Sequence, residues 1–145
     1  YLDTVWAYRD KGLPWRNTWQ VLIAASMVEK ETALVSERPM IARVIINRLK
    51  KWMHLQIDST VIYGITEPIE KVYYKQTRKK HPLNTYTQYG LPKHPICMPS
   101  KTSIDAVLHP ASGSMLYYVL QEDGSHFFSN TLKEHNRAKK RWKES

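Results

Sequence analysis

Cysteine, glycine and acidic residues are all scarce in this 145-residue chain, and each shortage excludes something. A lone cysteine, Cys97, rules out an internal disulfide framework and any zinc site built on several thiolates. With only five glycines there is no P-loop and no Gly-x-Ser-x-Gly, and His-Glu-x-x-His is missing as well. No apolar run approaches the roughly 18 residues that a membrane helix needs. No secretory signal opens the chain, and there is no internal repeat or low-complexity tract. Thirteen acidic residues against 22 basic ones leave a formal charge of +9 and a pI near 9.7.

What is present is enough for a folded domain. Apolar residues make up 42% and aromatics 11%, with five Trp and nine Tyr, too rich for a disordered chain. The length suits one core rather than two. Basic residues cluster at Arg78-Lys79-Lys80-His81 and Lys139-Lys140-Arg141-Trp142-Lys143. Such clusters attract polyanions (nucleic acid, an anionic membrane surface or an acidic glycan) or form an ordinary solvated face. The start at Tyr1-Leu2-Asp3-Thr4-Val5-Trp6 lies inside an apolar pattern with no initiator Met, which is expected of a fragment of a longer protein.

The pattern predicts a first helix ending near Asp10, stopped by Gly12-Leu13-Pro14. A second helix, capped by Asn17 or Thr18, runs from Trp19 to about Thr32, with Val21, Ala24, Ala25, Val28, Thr32 and Val35 on one side. A third runs from about Pro39 to Lys51 with an inner stripe of Ile41, Val44, Ile45 and Leu49. Met53 to Asp58 alternates as a short strand does, and Ser59 to Gly64 reads as one helical turn. Residues 65–100 hold five of the eight prolines and read as ordered loop. Ser103 to His109 is a short helix stopped by Pro110. Met115–Leu120 and His126–Ser129 form a hairpin around Glu122-Asp123-Gly124-Ser125, and Thr131 to Trp142 is a basic helix. The fold class is α+β: a helix-dominated single domain with a small antiparallel sheet.

Glu29-Lys30-Glu31 stands out chemically. At about 100° per residue, Lys30 points away from the apolar stripe while Glu31 lies about 60° from its centre, beside Ala24. A carboxyl at the margin of a buried face has a raised pKa, and a neutral acid near pH 7 can protonate a glycosidic oxygen. The alternative is a surface glutamate paired with Lys30 or Arg38. Gln56 and Asp58 fall on one face of the expected strand. Asn84-Thr85-Tyr86-Thr87 offers amide, hydroxyl and ring groups of the kind that bind sugars, or else the turn chemistry of an Asn bonded to its own backbone. His126, His135 and Asn136 are too scattered for a metal motif, and no cofactor motif is found.

The order of the motifs is more specific than any one of them. Ala25-Ser26-Met27-Val28-Glu29-Lys30-Glu31-Thr32 is followed by Ser36-Glu37-Arg38 and Ala42-Arg43-Val44-Ile45-Ile46-Asn47-Arg48-Leu49. Then come Met53 to Gly64, Asn84-Thr85-Tyr86 with Gly90-Leu91-Pro92, Pro95-Ile96 and Pro99, and Gly124-Ser125-His126-Phe127-Phe128 with Glu134-His135-Asn136. This succession, from about Leu22 to Asn136, closely resembles the YceG-like endolytic murein transglycosylase family (MltG type). The family usually has Asp-Pro-Thr-Val where this chain has Asp58-Ser59-Thr60-Val61, and Ser-Pro-Tyr-Asn-Thr-Tyr where it has His81-Pro82-Leu83-Asn84-Thr85-Tyr86. It usually has Leu-Pro-Pro-Gly-Pro-Ile where Leu91-Pro92-Lys93-His94-Pro95-Ile96 stand.

The resemblance implies a bacterial lytic transglycosylase acting on peptidoglycan glycan strands. Glu31 matches the family's catalytic acid. It would protonate the bond between N-acetylmuramic acid and N-acetylglucosamine, then deprotonate the muramoyl 6-hydroxyl to give a 1,6-anhydro end. The expected sugar-binding residues are Gln56, Asp58, Asn84, Thr85, Tyr86 and His126, with no metal and no cofactor. The resemblance also implies that residues 1–145 are the C-terminal catalytic part of a longer protein. That protein would be held in the inner membrane by an N-terminal anchor, facing the periplasm or outer side, with cell-wall synthesis enzymes as candidate partners. The rival readings are a hydrolytic muramidase, with a second carboxylate activating water, and a non-catalytic basic module for cell wall or nucleic acid. Most aromatics read as core or loop rather than as one exposed basic face, which counts against nucleic acid.

Overall fold

Two long helices and a shorter one carry the core. The computed structural model describes residues 1–64, 77–78 and 83–144. Helix α1 (Leu2–Trp6) is followed by α2 (Thr18–Glu31), a 3₁₀ turn (Val35–Glu37), α3 (Arg38–Lys50), α4 (Asp58–Gly64) and α5 (Lys101–Leu108). A hairpin of β1 (Tyr117–Leu120) and β2 (His126–Ser129) and a final helix α6 (Leu132–Glu144) complete the chain. This is the expected α+β class: among the described residues, six helices stand beside a two-stranded antiparallel sheet. No helix among the described residues is long and apolar enough to cross a membrane.

Asn17 caps α2, its Oδ1 accepting the Gln20 backbone N–H at 3.0 Å. Such a cap is worth about 1 kcal/mol. The expected stripe on α2 is too narrow: Ile23, Ser26 and Met27 are buried as fully as Val21, Ala24, Ala25 and Val28. The helix is central, covered by α3 on one side and α5 on another. Its small residues permit that close approach, and Ser26 satisfies its hydroxyl on the Ile23 carbonyl while accepting the Ile96 N–H. Val35 falls outside the stripe, 53% exposed, because the helix ends at Glu31 and the chain turns. From α3 come Ile41, Ala42, Ile45 and Ile46, and from α5 Ile104, Ala106, Val107 and Leu108. Trp15 closes one end, its indole N–H donating to the Val107 carbonyl at 2.8 Å.

The strand expected over Met53–Asp58 does not form. Gln56 has φ 53°, left-handed backbone that breaks an extended run, and Asp58 instead begins α4. The first helix stops at Trp6 rather than near Asp10, and the second begins one residue early at Thr18. The loop expected over residues 65–100 lies partly outside the described residues. Residues 77–78 and 83–100 of it are described, and 83–100 contains neither helix nor strand.

Helix α3 ends unusually. The Trp52 N–H bonds to the Leu49 carbonyl and the Met53 N–H to the Arg48 carbonyl at 2.9 Å, a termination that ordinarily uses glycine. Trp52 takes that place with φ 57°, at a cost on the order of 1–2 kcal/mol. In the hairpin, Tyr117 pairs with Ser129, Tyr118 with Phe128 and Leu120 with His126, turning through Gly124 at φ 86°. Helix α6 packs on the hairpin through buried Ala138.

Candidate active site

Glu31 is the last residue of α2, placed where the helix, the start of α4 and strand β1 converge. Its Oε2 accepts the Tyr118 hydroxyl at 2.8 Å and its Oε1 accepts the Ser59 hydroxyl at 3.2 Å. Burial raises the Glu31 pKa above the ordinary carboxylate range. The Tyr118 and Ser59 hydrogen bonds pull it down, Asp58 pushes it up and His126 lowers it, and burial prevails. The negative end of the α2 dipole also disfavours charge on its last residue. Tyr118 remains a donor, because burial and the adjacent Glu31 hold its hydroxyl well above its ordinary pKa.

Around this acid stand several of the residues expected from the sequence. Asp58 is exposed and accepts the Tyr86 hydroxyl at 2.6 Å, a bond that, after burial, raises the tyrosine's pKa. His126 sits edge-on to Tyr118 with ring centroids 5.3 Å apart. Its backbone N–H and Nδ1 both reach the Glu37 carboxylate, at 2.7 and 2.9 Å, so the 3₁₀ turn after α2 fixes the start of β2 and the ring orientation together. Gln56 is exposed on the neighbouring segment, its backbone N–H bonded to the Thr85 carbonyl.

Asn84 and Thr85 are 2% and 1% exposed and bonded within the fold. Asn84 donates to the Thr77 carbonyl and accepts the Tyr86 N–H, the turn chemistry named above as the alternative. The Thr85 hydroxyl accepts the Ile57 N–H at 2.8 Å and meets Thr60 at 2.9 Å. The pair ties the loop to α4 and so presents Tyr86 to Asp58. Of the basic cluster at 78–81, Lys79, Lys80 and His81 lie outside the described residues, while Lys139, Lys140 and Arg141 are exposed on α6.

Glu29, two residues earlier, does different work. Its Oε1 accepts the Ser100 N–H at 2.8 Å and the Ser103 hydroxyl at 2.9 Å, and its Oε2 pairs with Arg38 at 3.2 Å. Burial alone would raise its pKa, but these bonds hold it at about 2. Arg38 also donates to the Ser100 and Thr102 hydroxyls. Arg38 is therefore the partner of Glu29, not of Glu31. Tyr118, Ser59 and Glu37 were not among the site residues expected from the sequence. Tyr118 and Glu31 lie 87 positions apart, and no local pattern signals such a contact.

The fold and site together define a protein with one protonatable, desolvated carboxyl beside an exposed carboxylate and a tyrosine-lined surface. The model of the YceG-like family matches residues 2–141. A Bacillus subtilis (strain 168) protein named endolytic murein transglycosylase is 40% identical over 123 residues, covering 85% of this chain and 34% of the relative. One of the same name from Streptococcus pneumoniae serotype 2 is 28% identical over 151 residues, covering 94% of this chain and 27% of the relative. A crystal structure of a yceG-like protein from Listeria monocytogenes superposes with a TM-score of 0.81 at 39% identity, over 85% of this chain and 40% of that one. The chain belongs to the YceG-like family. It spans about a third or less of the length of these curated relatives.

Proposed function

We propose that this chain is the catalytic part of a peptidoglycan lytic transglycosylase, with Glu31 as its acid and then its base. The observation that carries the reading is the desolvated Glu31 carboxyl, raised in pKa and oriented by Tyr118 and Ser59. The names of the relatives support the same class.

Neutral Glu31 donates its proton to the bridging oxygen of the muramoyl–glucosaminyl β-1,4 bond as that bond breaks. Positive charge develops at the muramoyl anomeric carbon, and exposed Asp58 offers a nearby negative charge that stabilises it. The carboxylate left on Glu31 is stabilised by the Tyr118 and Ser59 hydroxyls. It then accepts the proton of the muramoyl 6-hydroxyl, whose oxygen attacks the anomeric carbon and closes the 1,6-anhydro ring. No water enters, and an internal nucleophile replaces a bimolecular encounter. Gln56, Tyr86 and His126 hold the sugar, while Asn84 and Thr85 set the loop that carries Tyr86. The chain works on the outer face of the inner membrane.

Asp58 favours a second reading. It acts on the charge of Glu31, and a second carboxylate near an acid is what a hydrolytic muramidase uses to activate water. Mass spectrometry of muropeptides released in ¹⁸O-labelled water separates the two. The transglycosylase gives anhydro ends one water lighter and free of label. Labelled reducing-end muramic acid assigns the chain to the hydrolases, and no release by folded protein leaves a binding module.

A further inference from the structure

We propose that the groove between Trp19 and Trp52 is a second glycan-binding site, one that holds a stretch of strand distant from the bond being cut. This rests on the reading that the substrate is peptidoglycan. The groove has a volume of about 460 Å³ and lies between the start of α2, the end of α3 and residues 90–93. Trp19 and Trp52 line it and are 51% and 81% exposed. The Trp19 indole is pinned, its N–H donating to the Lys93 carbonyl at 3.3 Å. Trp52 is presented by left-handed backbone at a helix end where glycine would be relaxed. Backbone strain that carries a large aromatic ring into solvent is the kind of outlier that marks a functional surface.

The lining chemistry selects the ligand. Flat indole faces cover the apolar face of a pyranose, and the amides of Asn17 and Gln20 line the same groove. Arg16 and Lys93 are exposed at the groove, and none of its described lining residues is a carboxylate. A glycan bearing acidic stem peptides matches rings and cations together. From Trp19 to Glu31 the helix rises about 18 Å, so the groove lies beyond the sugars that flank the scissile bond. The concavities along α6 are poorer candidates: the ring in them, Phe127, already lies under the Arg141 guanidinium.

The test measures binding of stem-peptide-bearing glycan oligomers of increasing length to the Glu31→Gln chain, in which turnover cannot obscure affinity. Trp52→Gly is introduced into that background. It removes the ring and relaxes the backbone, so its thermal midpoint should equal or exceed the parent's. Affinity of the parent should rise with oligomer length, and Trp52→Gly should cancel that rise, a loss of about tenfold for the long strand. Trp19→Ala should act in the same direction, and uncharged chitin oligomers should bind more weakly than acidic strands. Equal affinity of parent and Trp52→Gly for the long strand overturns the proposal, as does an oligonucleotide competing as well as the glycan. A native chain that cleaves glycan while Trp52→Gly binds like the parent defeats the groove alone. A chain that binds through Trp52 but never cleaves defeats the catalytic reading alone.

Discussion

Glu29 and Glu31 stand two residues apart in the last turn of the same helix, and the fold assigns them opposite tasks. Glu29 faces the N-terminal end of α5 and the Arg38 guanidinium, collects three donors and stays ionised. Glu31 turns toward the hairpin, receives two hydroxyls and, among the described residues, no cation at hydrogen-bond distance, and is pushed toward neutrality by burial. The helix dipole disfavours negative charge on both. What separates them is which element each one meets: a helix start with an arginine beside it, or a tyrosine on a strand.

The comparison breaks most sharply at Glu31. Glu31→Gln keeps the shape but cannot deliver a proton, so cleavage should fall by ~10²–10⁴-fold in a muropeptide-release assay. Its stability should not fall, because removing a carboxyl disfavoured by burial costs the fold little. Glu29→Gln should do the reverse. It leaves Arg38 without its carboxylate and should lower stability by about 2 kcal/mol in a denaturant titration, with a smaller effect on turnover of the folded protein.

Acid and alkali should sharpen the contrast. Glu29 has a folded pKa of about 2, below its unfolded value, so its contribution is present above the ordinary carboxylate range. That contribution is lost as pH falls toward about 2, and the stability gap between native and Glu29→Gln should close there. Glu31 has a raised folded pKa, so it costs stability as pH rises through that value. The gap between native and Glu31→Gln should therefore open upward with pH, in favour of the variant.

Tyr118→Phe should have a smaller effect. It deletes a donor to the charged form of Glu31, so the alkaline limb of the pH–rate profile should move up, with turnover reduced about fivefold. Smallest of all is the effect of salt. Binding to whole sacculi should weaken as ionic strength rises, because Lys139, Lys140 and Arg141 are exposed and screened over roughly 8 Å at physiological salt. Cleavage of a short soluble fragment should change less.

The helical part of this arrangement was legible in the sequence because it is local. The cap at Asn17, the helices α2 and α3 and the turn at Gly124 depend on neighbours a few residues away, and each forms, although the buried face of α2 is wider than its expected stripe and Val35 lies outside it. The wheel also placed Glu31 at the edge of a buried face. It could not show that Glu29 has the stronger partners, since Ser100 and Ser103 lie more than 70 positions away. The same distance hid Tyr118. Ser59 was noticed as a difference from the family pattern, but its hydroxyl bond to Glu31 needed the fold. The alternation over Met53–Asp58 misled because left-handed backbone at Gln56 is invisible to a hydrophobic period. Tyr86, expected from the sequence to bind sugar, is presented to Asp58, whereas Asn84 and Thr85 are buried and engaged in holding its loop.

The direct measurement is a ¹³C NMR titration of the glutamate side-chain carboxyls, with Glu29→Gln and Glu31→Gln supplying the assignments. The account predicts that Glu29 titrates near 2 and Glu31 above the ordinary carboxylate range, and that the alkaline limb of the cleavage rate follows the Glu31 curve. A Glu31 that titrates at or below the ordinary range, with a Glu29 at or above it, would contradict the division of labour between these two carboxylates.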